Sequence, residues 1–410
     1  MIPALAAICW LATGLTWAAE APSDDTAGEA ALQHARSLLR SSPLIDGHND
    51  LPWVIREETG GDVLAFRLDR ASEFDTDIPR LREGLVGAQF WSVWIPGESG
   101  PGDAPRLQLE QIDTALRMIE AYPDTFELAL TADDIERLHG QGKIASLLGM
   151  EGGYALNNSL AALRMFHRLG VRYMGLTHNV SLDWADAALG EQRHGGLTDF
   201  GRSVVREMNR TGMIVDLAHS SPAAMHQALD VARAPVIWSH AAARALVDHP
   251  RNVPDDVLAR LPKNGGVVMV TFIPSFLSKE VWDMEGQLWA TDAASGTVRE
   301  FRDTWQAWDA EHGAVRATIG QVADHIEHVR KVAGADHVGI GSDYWGMPDG
   351  PVGLEDVAGF PRLFAELIRR GWSDEDLRKL AGGNVLRAMR RVEATARRLR
   401  GETPPSITGF

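Results

Sequence analysis

A closed (β/α)8 barrel is the fold class this sequence predicts, and three observations carry that expectation. Short apolar or β-branched runs alternate with amphipathic helical stretches from residue 43 onward, the pattern of parallel strands joined by helical crossovers. The runs number eight, which favours a closed barrel over an open doubly wound sheet. After the first run there is no G-x-G-x-x-G, so a dinucleotide-binding reading is weakened.

The runs fall at 43–48, 85–95, 143–150, 171–177, 212–218, 235–239, 266–273 and 337–342. Helical spacing marks the segments 106–121, 156–169, 199–211, 222–232 and 318–333 between them. In the last of these, Ile319, Val322, Ala323, Ile326, Val329 and Val332 recur at the helical period. Residues 275–316 break the alternation as a long insertion after the seventh run, with Trp282, Trp289, Trp305 and Trp308 among many charges. That insertion reads either as a helical excursion packed on the barrel rim or as a lid or subunit contact. Two closing helices, 360–370 and 374–400, end in Arg390, Arg391, Arg397, Arg398 and Arg400, which read as a solvated basic face.

Composition bounds the rest. The 410 residues, 45% hydrophobic and 23% charged, belong to the globular class. A formal net charge of −16 argues against a nucleic-acid partner or an anionic membrane surface. Residues 2–18 are almost entirely apolar and lead into Ala18-Ala19-Glu20 and a polar stretch. This reads as a secretory signal peptide, 1–18, with Thr16 and Ala18 as the small residues before the cut; the alternative is an uncleaved N-terminal anchor. Cys9 is the only cysteine and lies inside that segment, so the exported chain would hold no thiol and rely on its core. The expected organisation is a leading segment 19–40, a single barrel domain 41–400 and a tail 401–410. Export without a remaining membrane anchor, into a bacterial periplasm, follows from that plan.

Barrel active sites lie at the C-terminal ends of the strands, and six of the eight runs end in His, Asp or Glu. The first ends Asp46-Gly47-His48-Asn49-Asp50; alternation puts His48 and Asp50 on one face, with Asn49 turned away. The third ends at Glu151, the fourth at Thr177-His178-Asn179, the fifth at Asp216-Leu217-Ala218-His219, the sixth at Ser239-His240 and the eighth at Ser342-Asp343. A single histidine at a strand end is more often a hydrogen-bonded rim residue than a ligand, and Asp216 reads as structural. The joint pattern is different, because it gathers metal-binding groups at one rim above apolar strand interiors. Three histidines and two carboxylates (His48, Asp50, Glu151, His219 and His240) exceed the three protein ligands of a mononuclear catalytic zinc. They suit two ions sharing a carboxylate, with Glu151 as the bridge, His48 and Asp50 on one side, and His219 and His240 on the other. Imidazole and carboxylate without thiolate favour zinc over manganese or iron.

These same residues resemble the membrane dipeptidase (renal dipeptidase) family of zinc peptidases over roughly residues 40–395. The resemblance rests on Asp46-Gly47-His48-Asn49-Asp50-Leu51-Pro52, Glu151-Gly152-Gly153, Leu176-Thr177-His178, Asp216-Leu217-Ala218-His219, Ser239-His240 and Arg251-Asn252-Val253-Pro254-Asp255-Asp256. Gln321-Val322-Ala323-Asp324-His325 and Gly353-Leu354-Glu355-Asp356-Val357 extend it. The resemblance implies that His48, Asp50, Glu151, His219 and His240 hold two Zn2+. It further implies that His178 contacts the scissile carbonyl, that Arg251 pairs with the free carboxylate of a dipeptide, and that Asp343 lies by its amine and scissile nitrogen. L-Xaa-L-Xaa and L-Xaa-D-Xaa dipeptides are the implied substrates, and a homodimer is the implied assembly. Tyr344-Trp345 stands after the acid where many members of the family have Phe-Asp; the 275–316 insertion, absent from the mammalian members, resembles a bacterial branch. Other readings are a metal-dependent amidase acting on an N-acyl amino acid, lactone or cyclic amide, and a non-catalytic binding protein.

Overall fold

The computed structural model describes residues 24–72, 75–97, 102–289, 297–313 and 315–407. The signal segment 1–18 with Cys9, and the last three residues of the tail, lie outside the described residues. Nine strands form one parallel sheet: β1 (Leu44–Asn49), β2 (Val86–Ser92), β3 (Phe126–Leu128), β4 (Ile144–Met150), β5 (Val171–Gly175), β6 (Ile214–Asp216), β7 (Val236–Ala241), β8 (Val267–Val270) and β9 (Val338–Ile340). Eight of them close the barrel in the order β1-β2-β4-β5-β6-β7-β8-β9, with β9 returning to β1. The predicted runs and the barrel strands correspond one to one.

β3 was not predicted. It pairs with the lower half of β4, Phe126 against Ile144 through Leu128 against Ser146, while β5 takes the upper half, Leu148 to Met150. A single edge of β4 is thus shared between two strands. Three residues are too short to show a period of two in sequence, so this strand is legible only from its pairing.

Ile45, Phe90, Leu147, Tyr173, Ile237 and Met269 point inward and form one buried cluster, so the barrel is filled rather than open. The helices pack their apolar stripes outside it. Helix Asp199–Thr211 starts at Thr198, whose hydroxyl accepts the Gly201 N–H, and helix Ile319–Ala333 starts at a Thr318/Gln321 capping box. Predicted helix 156–169 narrows to Leu160–Arg168 behind a Ser159 cap. The predicted 374–400 helix is interrupted by a π-turn at Lys379–Gly383 before it continues as Asn384–Glu402. There the chain runs against the start of β1: a Cβ on Gly382 would stand 2.4 Å from the Pro43 carbonyl oxygen. The leading segment is itself a helix, Asp24–Ser41, which packs on helix Phe360–Arg369.

The insertion forms helices Pro274–Leu277, Lys279–Trp289 and Val298–His312. Its third helix is docked on the helix Leu51–Thr59 that follows β1. Glu57 accepts the Val298 N–H at 2.9 Å, and Glu58 takes Arg299 in a two-point ion pair at 2.7 and 3.0 Å. Arg302 lies over the Trp345 ring at 5.1 Å. These contacts hold the third helix against the rim of the barrel. Among the described residues, no helix is long and apolar enough to cross a membrane.

Candidate metal centre

All eight residues singled out in the sequence converge at the C-terminal mouth of the barrel. His48 and His240 lie within β1 and β7. Glu151 directly follows β4, and His178, His219 and Asp343 come three residues after β5, β6 and β9. Arg251 reaches in from the loop after β7 and is buried. His219 and Asp343 hold φ of 66° and 68°, a left-handed conformation that costs non-glycine residues energy and clusters at functional sites.

Glu151 is the hub. Its Oε2 stands 3.3 Å from His48 Nε2, whereas Oε1 faces His219 Nε2 at 2.8 Å and His240 Nε2 at 3.4 Å. One oxygen is thus turned to each of the two ligand sets. Asp50 is 3.5 Å from His48 Nε2, and Asp343 lies 3.8 Å from it and 3.9 Å from His240 Nε2. Within ligand range fall three groups: His48, Glu151 and His240; Glu151, His178 and His219; His48, Asp50 and Asp343. His178, 3.9 Å from Glu151, therefore sits close enough to be a ligand itself.

The hydrogen bonds behind the imidazoles decide which nitrogen faces inward. His48 Nδ1 is 2.8 Å from the Tyr173 hydroxyl, which donates its own proton to the Gly47 carbonyl. His219 Nδ1 meets Asn179 Oδ1 at 2.9 Å. His240 Nδ1 meets Ser239 Oγ at 2.9 Å, and that hydroxyl donates to Asp216 Oδ2 at 2.6 Å. In each case the partner can only accept, so Nδ1 carries the proton and Nε2 presents a bare lone pair. The Nε2 atoms of His219 and His240 stand 3.0 Å apart, both against a carboxylate oxygen. Arg251 Nη2 gives His240 Nε2 one donor at 3.0 Å, and lone pairs this close to one another and to a carboxylate suit a cation shared between them. Two further atoms say the same: His48 Nε2 and Asp50 Oδ1 are buried without a hydrogen-bond partner.

Electrostatics agrees. Burial opposes charge on His48, yet Tyr173, Glu151 and Asp50 together raise its pKa well above the usual imidazole value. Burial raises Asp343 well above the carboxylate range, with Asp50 and Glu151 adding to it. Burial also lowers His219, helped by Arg251 and His178, and lowers His240, helped by His48. Burial opposes charge on Glu151 as well, yet His48 and His219 hold its pKa well below the carboxylate range, so an anionic carboxylate sits between two neutral imidazoles and calls for positive charge from outside. The donor set, imidazole and carboxylate without thiolate, fits hard or borderline divalent ions.

Several residues of the site were not assigned a role from the sequence. Tyr173, Asn179, Ser239 and Ser342 read as ordinary strand or loop positions, and Asp216 reads as structural. Two of the supports form a matched pair. Asp46 accepts the backbone N–H and hydroxyl of Ser342 at 2.7 and 2.6 Å, just as Asp216 accepts those of Ser239 at 2.8 and 2.6 Å. Their signal in sequence was an Asp two or three residues before a ligand histidine and a Ser directly before His240 or Asp343. Gly149 makes the Tyr173 contact possible, since a Cβ there would meet the phenol ring at 2.0 Å.

Above the centre opens a cavity of about 550 Å³, whose lining includes Trp53, Trp94, Phe276, Trp282, Phe301 and Trp345. A smaller cavity of about 230 Å³ beside His167, Arg172 and Arg400 lies away from these groups, beneath the starts of β5 and β6.

Residues 32–403 match the membrane dipeptidase family, peptidase family M19. The chain belongs to this family. Dipeptidase 3 of Rattus norvegicus is 42% identical over 380 residues, 92% of this chain and 70% of that protein. Dipeptidase 3 of Homo sapiens is 41% identical over 375 residues, 90% of this chain and 69% of that protein. Among solved structures, the probable dipeptidase PvdM from Pseudomonas aeruginosa superposes with a TM-score of 0.77 at 27% identity, covering 90% of this chain and 100% of that one. A Rhodobacter sphaeroides metallopeptidase bound to a phosphinate mimic of L-Ala-D-Ala gives 0.70 at 25% identity, with 86% and 99% covered. Membership makes the chain a metallodipeptidase of the hydrolase class.

Proposed function

We propose that this protein is a zinc-dependent dipeptidase acting on free L-Xaa-L-Xaa and L-Xaa-D-Xaa dipeptides. The observation that supports it best is Glu151, which turns one oxygen to His48 and the other to His219 and His240. In this reading His48, Asp50, Glu151, His219 and His240 hold two Zn2+ with Glu151 shared. Metal ions so placed lower the pKa of bound water and polarise the scissile carbonyl.

The chain's own groups do the rest. Arg251 takes the substrate's terminal carboxylate through its guanidinium, which excludes peptides extended past that residue. Its Nη2 lies 3.0 Å from His240 Nε2, close enough to draw a short substrate down onto the centre. His178, whose pKa burial lowers, is neutral and can donate one N–H to the carbonyl oxygen as negative charge develops there. A prepositioned donor of this kind contributes about 3 kcal/mol. Asp343 receives the proton of the attacking water and returns it to the leaving nitrogen, acting as base and then acid. The carboxylate of Asp343 faces the pocket beside Asp50 and Glu151, where a substrate ammonium would also be drawn. Export by the 1–18 segment to a periplasm, and a homodimeric assembly, belong to the same reading.

The test is a panel of L–L and L–D dipeptides beside their N-acetylated forms, each with and without chelator. Turnover of the free dipeptides alone, abolished by chelator, is the expected result. Preferential turnover of N-acyl amino acids, lactones or cyclic amides would replace the reading with that of an amidase. A metal-loaded protein inert to every substrate would indicate a binding protein.

A further inference from the structure

We propose that Phe276 and Trp282, in the first part of the 275–316 insertion, build the subsite for the side chain of the dipeptide's C-terminal residue and select large apolar or aromatic groups there. The proposal rests on the reading that Arg251 holds the terminal carboxylate.

The guanidinium of Arg251 lies over the Phe276 ring, 5.2 Å from its centroid. Phe276 in turn stacks on His249 at 4.2 Å and 30°, and Trp282 meets His249 edge-on at 4.1 Å and 74°. Phe276 and Trp282 belong to the insertion, and both line the cavity. The chain Arg251–Phe276–His249–Trp282 is therefore one continuous wall that begins at the carboxylate anchor. In a dipeptide, the C-terminal side chain leaves from the carbon that bears the carboxylate. A substrate fixed at Arg251 has to lay that side chain against its immediate neighbours, and those neighbours are aromatic.

Charge narrows the choice. Arg251 is the only Arg or Lys among the described residues lining the cavity, and the backbone carboxylate engages it. An acidic side chain in the subsite would be desolvated without a partner. His249 does not supply one: burial lowers its pKa to about 3, with Arg251 and Arg244 adding to the effect, so it faces the cavity as a neutral ring. A cavity of about 550 Å³ is in the range of sites that enclose drug-sized ligands. That leaves room for two bulky side chains beyond the short dipeptide backbone.

The experiment is kcat/KM of the zinc-loaded enzyme for Ala-Ala, Ala-Leu, Ala-Phe, Ala-Asp and Ala-Lys, for wild type, Trp282→Ala and Trp282→Leu. Wild type should favour Ala-Phe and Ala-Leu over Ala-Ala, and disfavour Ala-Asp, by about tenfold or more. Trp282→Ala should lose about tenfold on Ala-Phe and stay within about twofold of wild type on Ala-Ala. Trp282→Leu, which keeps an apolar contact and serves if the smaller residue destabilises the fold, should fall between them. A flat wild-type profile, or equal losses on Ala-Phe and Ala-Ala, overturns the subsite while leaving the dipeptidase reading intact. Failure to hydrolyse any of the five peptides overturns the dipeptidase reading and the subsite with it.

Discussion

Asp216 accepts both the backbone N–H and the hydroxyl of Ser239, at 2.8 and 2.6 Å, and thereby fixes the proton on the far side of the neighbouring His240 ring. Because the Ser239 hydroxyl proton is committed to Asp216, its oxygen can only accept from His240 Nδ1, and Nε2 is left bare toward the centre. Asp216→Asn reverses this. The Asp216 Oδ1 position would keep the N–H groups of Ser239 and Ala218, so the new amide N–H would point at Ser239 Oγ. The hydroxyl would then donate to His240 Nδ1 and drive the proton onto Nε2. Asp216→Asn should therefore weaken zinc affinity by about 10- to 100-fold, the usual scale for supports behind metal ligands. Ser239→Ala, which frees the tautomer without inverting it, should cost less. Competition with a chromophoric chelator measures both, and an Asp216→Asn affinity equal to wild type would remove the relay.

Asp343 offers a second test. Asp343→Asn keeps the volume and loses the proton carrier, so zinc content should be unchanged while kcat falls about 10²- to 10⁴-fold. Wild-type turnover in that variant would take Asp343 out of the proton path.

For Arg251, the expectation is separation of binding from chemistry. Arg251→Ala should raise KM for dipeptides by at least tenfold, since a buried charge-assisted pair to the substrate carboxylate is lost. An unchanged KM with lower kcat would assign Arg251 to the centre itself rather than to the carboxylate.

Stability should depend on pH through His325. Its Nδ1 accepts the Ala243 N–H at 3.0 Å and its Nε2 faces the Leu277 carbonyl, so the folded state uses the neutral ring. Burial lowers its pKa from 6.5 to about 4. Between those values the unfolded chain binds a proton that the folded chain does not. Stability is thus full above about pH 6.5, declines as pH falls toward 4, and levels off below. The contribution of this residue is roughly 3 kcal/mol. Urea midpoints measured from pH 7 to 4 should fall less steeply in His325→Gln than in wild type; parallel slopes would exclude His325 as the source.

How far the sequence carried this picture varies with the kind of signal. Barrel strands were legible because each is a buried run with little polarity, and the ligands because His48, Asp50, Glu151, His219 and His240 stand at the ends of those runs. β3 was not, since Phe126-Glu127-Leu128 carries no periodicity of its own. The supporting shell was equally hidden. Tyr173 sits inside an apolar run and reaches His48 only because Gly149 on the adjacent strand leaves space for its ring. Asp46 and Asp216 face into the barrel like core residues and become intelligible only when Ser342 and Ser239 appear across the strand gap. The insertion showed its tryptophans in sequence, yet not that its third helix starts on Glu57.

Everything proposed for the reaction depends on Glu151 being shared between two ions. The most direct test is the zinc content of the purified, zinc-equilibrated protein by elemental analysis, compared with Glu151→Gln. About two zinc ions per chain are expected in the wild type, with occupancy falling at both positions in the variant. A wild-type content near one, or a variant that still holds two, would contradict that sharing.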